Sequence, residues 1–431
     1  MSYFVDVGIL NWNGLKHLKP CLDALSEQRD PGVDWRIVVF DNGSTDGSRE
    51  WLAALDLPRL VVVESERNLG FCGGYNRLIE ESPADAIALL NNDTRPQPEW
   101  LAELVASLRC APEDVAAVSG LIVDWEGERL DFARGAMTFD GHAFQLDYHR
   151  PLDEVTLPAD GEELLFACGG NMLIRRQSFL AAGGFDPRYF AYLEDVDLGW
   201  RLWSGGERVL LARRAVVHHR SMATSDLLGV YNRGFLFERN AFLTAYKNYD
   251  AELWPRLLPA VMMTLLARTQ TLLVQNNPGG ELLTIDPYAI PSSAREAQSA
   301  TQQDAPVERR PVLPMRLLRR WREMGSRQFA RHVVDRFLPP QAATTLDDPR
   351  TVAQFRAITY LLGDLDALAS ARRQVQARRR RDDRELFERF PLLVVPTYPG
   401  DEKLFGSAGF CEWLPADLPI RRANLEEIMD A

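Results

Sequence analysis

The side chains best suited to chemistry in this chain of 431 residues fall in five short clusters. Val38-Val39-Phe40-Asp41-Asn42-Gly43-Ser44 reads as an apolar strand that delivers Asp41 to its carboxyl end. Gly43 suits a tight turn there, and Ser44 or Thr45 suits a helix cap. A carboxylate so placed can accept hydrogen bonds from a nucleobase, although a plain capped strand–turn–helix uses the same residues. Asn68-Leu69-Gly70-Phe71-Cys72-Gly73-Gly74-Tyr75-Asn76 sets three glycines before a helix and would let backbone approach a phosphate. It is neither GxGxxG nor a P-loop, and many glycine-rich loops bind nothing. Leu89-Leu90-Asn91-Asn92-Asp93-Thr94 ends an apolar strand in two amides and one carboxylate. Asp93 with a diphosphate would make a partial oxygen shell for Mg2+ or Mn2+; an Asx-turn is the plainer alternative.

The fourth cluster is Gly183-Gly184-Phe185-Asp186 followed by Tyr189-Phe190-Ala191-Tyr192-Leu193-Glu194-Asp195-Val196-Asp197. Glu194 and Asp195 fall at a helix N-terminus, where the dipole favours the ionised carboxylate. The aromatic collar Tyr189, Phe190 and Tyr192 would help exclude water from a general base. Asp197 and Arg201 have the i,i+4 spacing of a surface pair. An acidic first turn is, equally, a common helix start. In the fifth cluster, Val216-Val217-His218-His219, an imidazole at a strand end can ligate a metal or serve as a structural histidine.

The elements that must position these clusters alternate through the first 125 residues. Apolar strand-like runs at Phe4–Leu10, Arg36–Phe40, Leu60–Val63, Ala86–Leu90 and Val115–Val123 are separated by helical patterns. Continuous apolar strands between helices predict a parallel sheet covered on both faces, with ligands at the strand carboxyl ends. Residues 126–163 break this rhythm with Gly, Asp and aromatics, and read as loops and short strands. Order returns at Leu164–Arg175, a helix is expected over Glu194–Ser204, and Val209–Val217 reads as one or two short strands. Residues 230–275 read as helical, including the apolar stretch Leu257–Val274, which Pro259 and Arg268 mark as a buried or interfacial helix rather than a membrane span.

Composition bounds the answer. Hydrophobic residues make up 46% and charged residues 26%, which is globular. The net charge is −12, and it is uneven: residues 1–250 carry 24 basic and 38 acidic side chains, so the remaining residues sum to +2. An acidic chain is a poor duplex nucleic-acid binder. Its acidic half would need a cation to hold an anionic ligand. Five cysteines without a CxxC spacing fit a reducing compartment. The N-terminal residues do not read as a signal peptide, so a cytoplasmic protein is expected.

Taken in order, the five clusters resemble the family 2 nucleotide-sugar glycosyltransferases of the GT-A fold, and most of all their bacterial rhamnosyltransferase-like branch. The likeness runs from about Tyr3 to about Ser225. It is carried by NNDT at Asn91–Thr94, GGNMLIRRQSF at Gly169–Phe179 and GGFDPRYFAYLEDVDLGWRL at Gly183–Leu202. It implies a mixed, mainly parallel α/β sheet flanked by helices, with a largely helical C-terminal extension. By the same resemblance Asp41 binds the nucleobase, with Asn11 and Asn13 nearby. Asn68, Gly70, Asn76 and Asn92 line the nucleotide pocket. Asp93 takes the place of the last acid of the metal motif, Asn91 standing where the first acid is usual. Asp195 is the catalytic base assisted by Glu194, and His218 completes the metal shell, with His219 as its competitor. The implied reaction is inverting, metal-dependent transfer from a dTDP-rhamnose or UDP-sugar donor to a glycan or lipid-linked acceptor in cell-surface polysaccharide synthesis. The rival readings are a sugar nucleotidyltransferase, whose early Gly-rich basic signature is missing, and a non-catalytic sugar-nucleotide or glycan-binding module.

The expected organisation is a catalytic domain over 1–225, a helical segment over 226–275 packed on it, a linker over 276–312, and an Arg-rich helical region and tail over 313–431. The run Arg372–Arg384 reads either as a solvated helical face or as a basic face for anionic lipid at the inner side of the cell membrane. An oligomer contact is a further expectation for the C-terminal half.

Overall fold

Strands β1 (Phe4–Asn11), β2 (Asp34–Asp41), β3 (Leu60–Glu64) and β4 (Ala86–Asn91) lie parallel in the order β3-β2-β1-β4. Helices α1 (Leu15–Ser26), α2 (Ser48–Ala53) and α3 (Gly70–Glu81) make the crossovers. Val5, Val7, Ile9, Val39 and the run Ala86–Leu90 are fully buried, which is why these strands read as continuous apolar runs. The computed structural model describes residues 3–220, 229–277 and 348–429.

The pairing of Asn11 with Asp41 and of Leu10 with Asn91 brings three polar strand ends level. The chain leaves β1 towards β2 on one side and returns at β4 on the other. This reversal of strand order opens a crevice at the carboxyl ends.

The other half of the sheet is mixed. β10 (Asn171–Arg175) runs antiparallel between β4 and β6 (Val115–Asp124), and β11 (Arg208–His219) runs parallel to β6. β5 (Thr94–Pro96) pairs antiparallel with β11, and β7 (Leu130–Phe132) with β6, giving nine strands. β11 is one strand of 12 residues, where the sequence suggested one or two short ones. Its register shifts between Ala212 and Val216, a bulge that interrupts the alternation a sequence reader relies on. The excursion at 126–163 supplies β7 and the hairpin of β8 (Gly135–Met137) and β9 (Ala143–Gln145).

Helices α4 (Trp100–Cys110), α5 (Arg176–Ala182) and α6 (Glu194–Ser204) complete the layers, followed by α7 (Gly229–Asn248) and α8 (Leu253–Asn276). Asp197 and Arg201 pair at 2.8 Å on α6 as their spacing suggested, but in the interior rather than on the surface. Lys247 of α7 reaches the same Asp197 at 2.9 Å and Asp186 at 2.6 Å. These added contacts are what make the burial of the charges tolerable. α8 is long and apolar enough to cross a membrane by length and composition. Its Leu257, Ala260 and Val261 are buried in the core, and its Arg268 is buried against Asp140 at 2.8 Å and Asp401 at 2.9 Å.

Residues 1–269 and 352–431 form one compact unit, and 270–351 another. The C-terminal helices from residue 352 onward thus share the unit of the sheet. In the second unit Asn277 donates to Thr351 Oγ1 at 3.1 Å. Residues 278–347, which hold most of the expected linker and the start of the Arg-rich region, lie outside the described residues, as do 221–225 at the end of the expected catalytic domain.

After α9 (Pro349–Gly363), α10 (Leu365–Arg378) and α11 (Asp383–Arg389) carry the basic run. Arg372 donates to the carbonyls of Tyr246, Tyr249 and Asp250, Gln376 to that of Lys247, and Arg379 to that of Asn248. Arg378 donates to Ala182 O at the end of α5 and Arg381 to Gly206 O beyond α6. The last turn of a helix leaves carbonyls without partners, and its dipole attracts cations. Much of the run therefore serves as shared caps for the ends of α7 and α5. The interrupting acids take part: Asp382 caps α11, and Asp383 accepts from Trp200 Nε1 at 3.0 Å.

Candidate functional site

A cleft of about 610 Å3 opens at the carboxyl ends of β1, β2 and β4 and runs to the start of α6. Its first wall is a mesh of amides. Asn42 Nδ2 donates to Asn68 Oδ1 at 2.9 Å and to Gly70 O, while its Oδ1 accepts from Leu69 N at 2.8 Å. Asn92 donates to Asn11 Oδ1 at 2.9 Å, and Asn11 donates in turn to Asp41 at 3.1 Å. Asp41 also accepts from Ser44 N and Arg49 Nε, each at 2.9 Å. Burial alone would raise its pKa, but the bonds from Ser44, Arg49 and Asn11 hold it below the usual carboxylate range.

Of the nucleotide-site candidates, Asn68, Gly70 and Asn92 line the cleft. Asn11 and Asp41 are fully buried behind it. Asn13 stands aside with φ 51°, its Oδ1 accepting from Thr45 N at 2.7 Å. Asn76 points away, tying α3 to both backbone groups of Phe185 at 2.7 and 2.8 Å. Asn42 and Trp12 line the cleft without having been singled out, although Asn42 lies inside the first cluster and Trp12 between Asn11 and Asn13.

Within the cleft lining the structure brings His219, not His218, to Asp93. His219 Nε2 lies 3.3 Å from Asp93 Oδ1, and His219 Nδ1 lies 2.8 Å from Asp131 Oδ2. His218 is on the opposite face, its Nδ1 3.2 Å from Trp125 O and its Nε2 3.4 Å from Gln97. Neighbouring strand residues face opposite ways, so only one histidine of the pair can enter. Burial would depress the His219 pKa, but Asp131 and Asp93 together push it up to about 10. Asp131, at the centre of β7, also accepts from Gln145 at 3.2 Å. Nothing in the local sequence Leu130-Asp131-Phe132 marks it out.

Another part of the lining is the start of α6. Asp195 Oδ2 accepts from Gly169 N at 3.0 Å, and its Oδ1 from Val196 N at 2.8 Å. Burial nevertheless raises its pKa above the ordinary aspartate range. Glu194 is 6% exposed, and its Oε2 has no hydrogen-bond partner among the described residues. Burial, with Asp195 beside it, pushes its pKa well up. Both carboxylates line the cleft. A pair whose proton affinity is raised by burial is better suited to accepting a proton than a solvated pair.

The backbone leading into this pair is strained. Phe190 (φ 62°, ψ −59°) is the centre of a tight γ-turn closed by Ala191 N donating to Tyr189 O at 2.7 Å. Tyr192 and Leu193 follow at φ 70° and 62°. Bulky residues in this region cost of order 1–3 kcal/mol each and persist only where surroundings impose them. Gly70 sits against this turn: with φ 74°, it has no room for a side chain, since a Cβ there would come within 2.5 Å of the Phe190 ring.

The sequence profile described as "Glycosyl transferase family 2" matches residues 6–181, which hold the whole amide mesh and Asp93. An N-acetylglucosaminyl-diphospho-decaprenol L-rhamnosyltransferase of Mycobacterium tuberculosis (strain CDC 1551 / Oshkosh) is 30% identical over 245 residues, covering 52% of this chain and 78% of that protein. The O-antigen biosynthesis protein RfbC of Myxococcus xanthus is 30% identical over 216 residues, covering 47% of this chain and 16% of that protein. Among solved structures, GalNAc-T7 with UDP, GalNAc and Mn2+ aligns at a TM-score of 0.46 and 16% identity, over 69% of this chain and 54% of that one. The profile match, the breadth of the rhamnosyltransferase match and the strand-end cleft together place this chain in glycosyl transferase family 2, on its rhamnosyltransferase-like side.

Proposed function

We propose that this chain transfers a sugar, with inversion, from a nucleoside diphosphate donor to a hydroxyl of a glycan or lipid-linked acceptor. The observation that carries this reading is one cleft lined by both Asp93 and Asp195. The acceptor O–H gives its proton to Asp195 as its oxygen bonds to the anomeric carbon. The bond from that carbon to the diphosphate oxygen breaks, and its electron pair leaves with the diphosphate. Inversion follows from attack opposite the leaving group. The mycobacterial relative's name specifies L-rhamnosyl transfer to a diphospho-decaprenol-linked N-acetylglucosamine. It favours a deoxyhexose donor such as dTDP-rhamnose here, with a UDP-sugar second.

The residues fit a divalent cation such as Mg2+ or Mn2+ held by Asp93 and His219 rather than by His218. Asp131 on Nδ1 would orient the imidazole, as carboxylates do for metal-bound histidines. Among the described residues no group of three or more His, Cys, Asp and Glu side chains could hold a metal ion. The diphosphate and water would therefore supply the rest of the shell. When bound, such an ion neutralises charge on the departing diphosphate. Asn68, Asn92 and Gly70 would face the nucleotide, with Asn42 beside them and Asn11, Asp41, Asn13 and Asn76 supporting them from behind. Glu194 would lend Asp195 its proton-holding environment.

Calorimetry with TDP, UDP and GDP, with Mn2+ and with EDTA, tests the reading. Binding of one nucleotide that weakens strongly in EDTA is expected. Equal affinity in both would remove the metal, and no binding of any nucleotide would remove the proposal.

A further inference from the structure

We infer that Asn240, on α7, is a positioning residue that sets the place of Asp195 through the backbone of residues 189–193. The inference rests on the reading of Asp195 as the base. The Asn240 amide nitrogen lies 3.1 Å from Tyr189 O, 2.8 Å from Ala191 O and 2.7 Å from Tyr192 O. Its own oxygen accepts from Arg239 Nε at 3.0 Å and Nη2 at 2.9 Å. A guanidinium has no acceptor, so the amide oxygen must face Arg239 and both N–H groups must face the turn. Arg239 Nη2 also donates to Tyr189 O at 2.9 Å. The guanidinium is held over the rings of Phe235 at 4.8 Å and Tyr360 at 4.7 Å.

Asn240 is fully buried and does not line the cleft, so it acts through the turn and not on the substrate. Three carbonyls from four consecutive residues converge on one amide. They do so in a stretch where Phe190, Tyr192 and Leu193 hold positive φ. Without the amide these residues are free to return to the φ < 0 regions that bulky side chains prefer. That return would move the start of α6, and Asp195 with it. It would also move Phe190, whose carbonyl accepts from Cys72 N at 3.2 Å. One amide from α7 thus fixes the base against the donor wall.

The test is a double-mutant cycle on the full chain, reading kcat, nucleotide affinity and thermal melting. Asn240→Ala should lower kcat by about a hundredfold, the scale set by misplacing a reacting group by about 1 Å, with nucleotide affinity changed less than about threefold. Leu193→Gly relieves part of the strain, because glycine takes positive φ freely. In the Leu193→Gly background, Asn240→Ala should cost at least about fivefold less in kcat than in the wild-type background, the coupling expected of two residues that act on one backbone feature. Equal losses in both backgrounds, or unchanged kcat with only a lower melting temperature, would overturn the inference. If Asn240→Ala does not fold, Arg239→Lys serves in its place. It loosens the hold on the amide oxygen and should lower kcat with nucleotide affinity kept, and an unchanged kcat would overturn the inference. Asp195→Asn separates the two readings: an active Asp195→Asn removes the base, whereas an inactive Asp195→Asn beside a fully active Asn240→Ala removes only the clamp.

Discussion

Asn92 donates to Asn11 and Asn42 to Asn68, two amide pairs at and beyond the strand ends, and Asn11 and Asn42 extend them to Asp41, Leu69 and Gly70, along the proposed donor wall. The start of α6 has no such mesh. Its strained turn depends on Asn240, which lies 45 residues beyond Asp195 in the chain. The donor wall spreads its constraint over many modest hydrogen bonds, each worth about 1 kcal/mol net. At the proposed base, Asn240 alone meets three carbonyls of the turn, with Arg239 and Cys72 N adding one bond each. Single substitutions should therefore be absorbed on the first wall and magnified on the second.

The largest expected break is at the base. Asp195→Asn should cut transfer by a hundredfold or more, the scale of a lost general base, while nucleotide affinity stays within a few-fold. Turnover with nucleotide titration checks this, and near wild-type turnover would shift the role to Glu194. The pH profile sharpens the same contrast. A base works only when deprotonated, so activity should fall as pH drops through the Asp195 pKa. Burial raises that pKa, so the acid limb should lie above the ordinary aspartate range. A limb within that range would mean the carboxylate is solvated during catalysis.

At the proposed cation site, Asp93→Ala and His219→Ala should each weaken Mn2+-dependent nucleotide binding by about 10- to 100-fold, and His218→Ala by less than about twofold. Equal effects of the two histidines would refute the assignment by strand face. On the donor wall, Asn68→Ala should cost only a few-fold in nucleotide affinity, since Asn42 keeps its bonds to Leu69 N and Gly70 O. A hundredfold loss there would erase the distinction between the walls.

Stability offers two smaller tests of how the outer segments support the base wall. His142 sits between Asp140 at 3.2 Å and Glu238 at 3.5 Å, with Arg268 and Tyr398 in the same buried cluster. Burial would lower its pKa, but Asp140 and Glu238 push it up to about 9. A raised folded-state pKa stabilises fully below the unfolded value near 6.5, and that gain is lost as pH rises through about 9. Melting at pH 6 and pH 9.5 should therefore differ by up to about 3 kcal/mol in the wild type, and much less in His142→Gln. Arg372→Ala, which removes caps from the end of α7, should cost about 1–2 kcal/mol without altering nucleotide affinity.

The helices that carry Arg372 also bear on truncation. Trp200 of α6 packs edge-on to Phe387 at 5.4 Å and donates to Asp383. A fragment ending at residue 275 would bare this buried face, so the C-terminal helices are structural partners of α6. Sequence alone made them look separable because their Arg-rich composition reads as solvated; the carbonyls they cap belong to segments more than 100 residues away.

The sequence by itself determined the strands of the parallel half, the family and the places of Asp93 and Asp195. Those features are written in local patterns: apolar runs that must be buried on both faces, polar residues where such runs stop, and acids where a helix starts. Tertiary structure alone decided that His219 and not His218 turns to Asp93, because strand register selects one face. It decided that Asn11, Asp41 and Asn76 stand behind the cleft, and that Asp131 joins it, because depth and approach are properties of the packed sheet. It also decided the left-handed turn before Asp195. No residue from Phe190 to Leu193 is a glycine, so local propensity argues against that conformation. It is held by hydrogen bonds from a helix that only folding brings near.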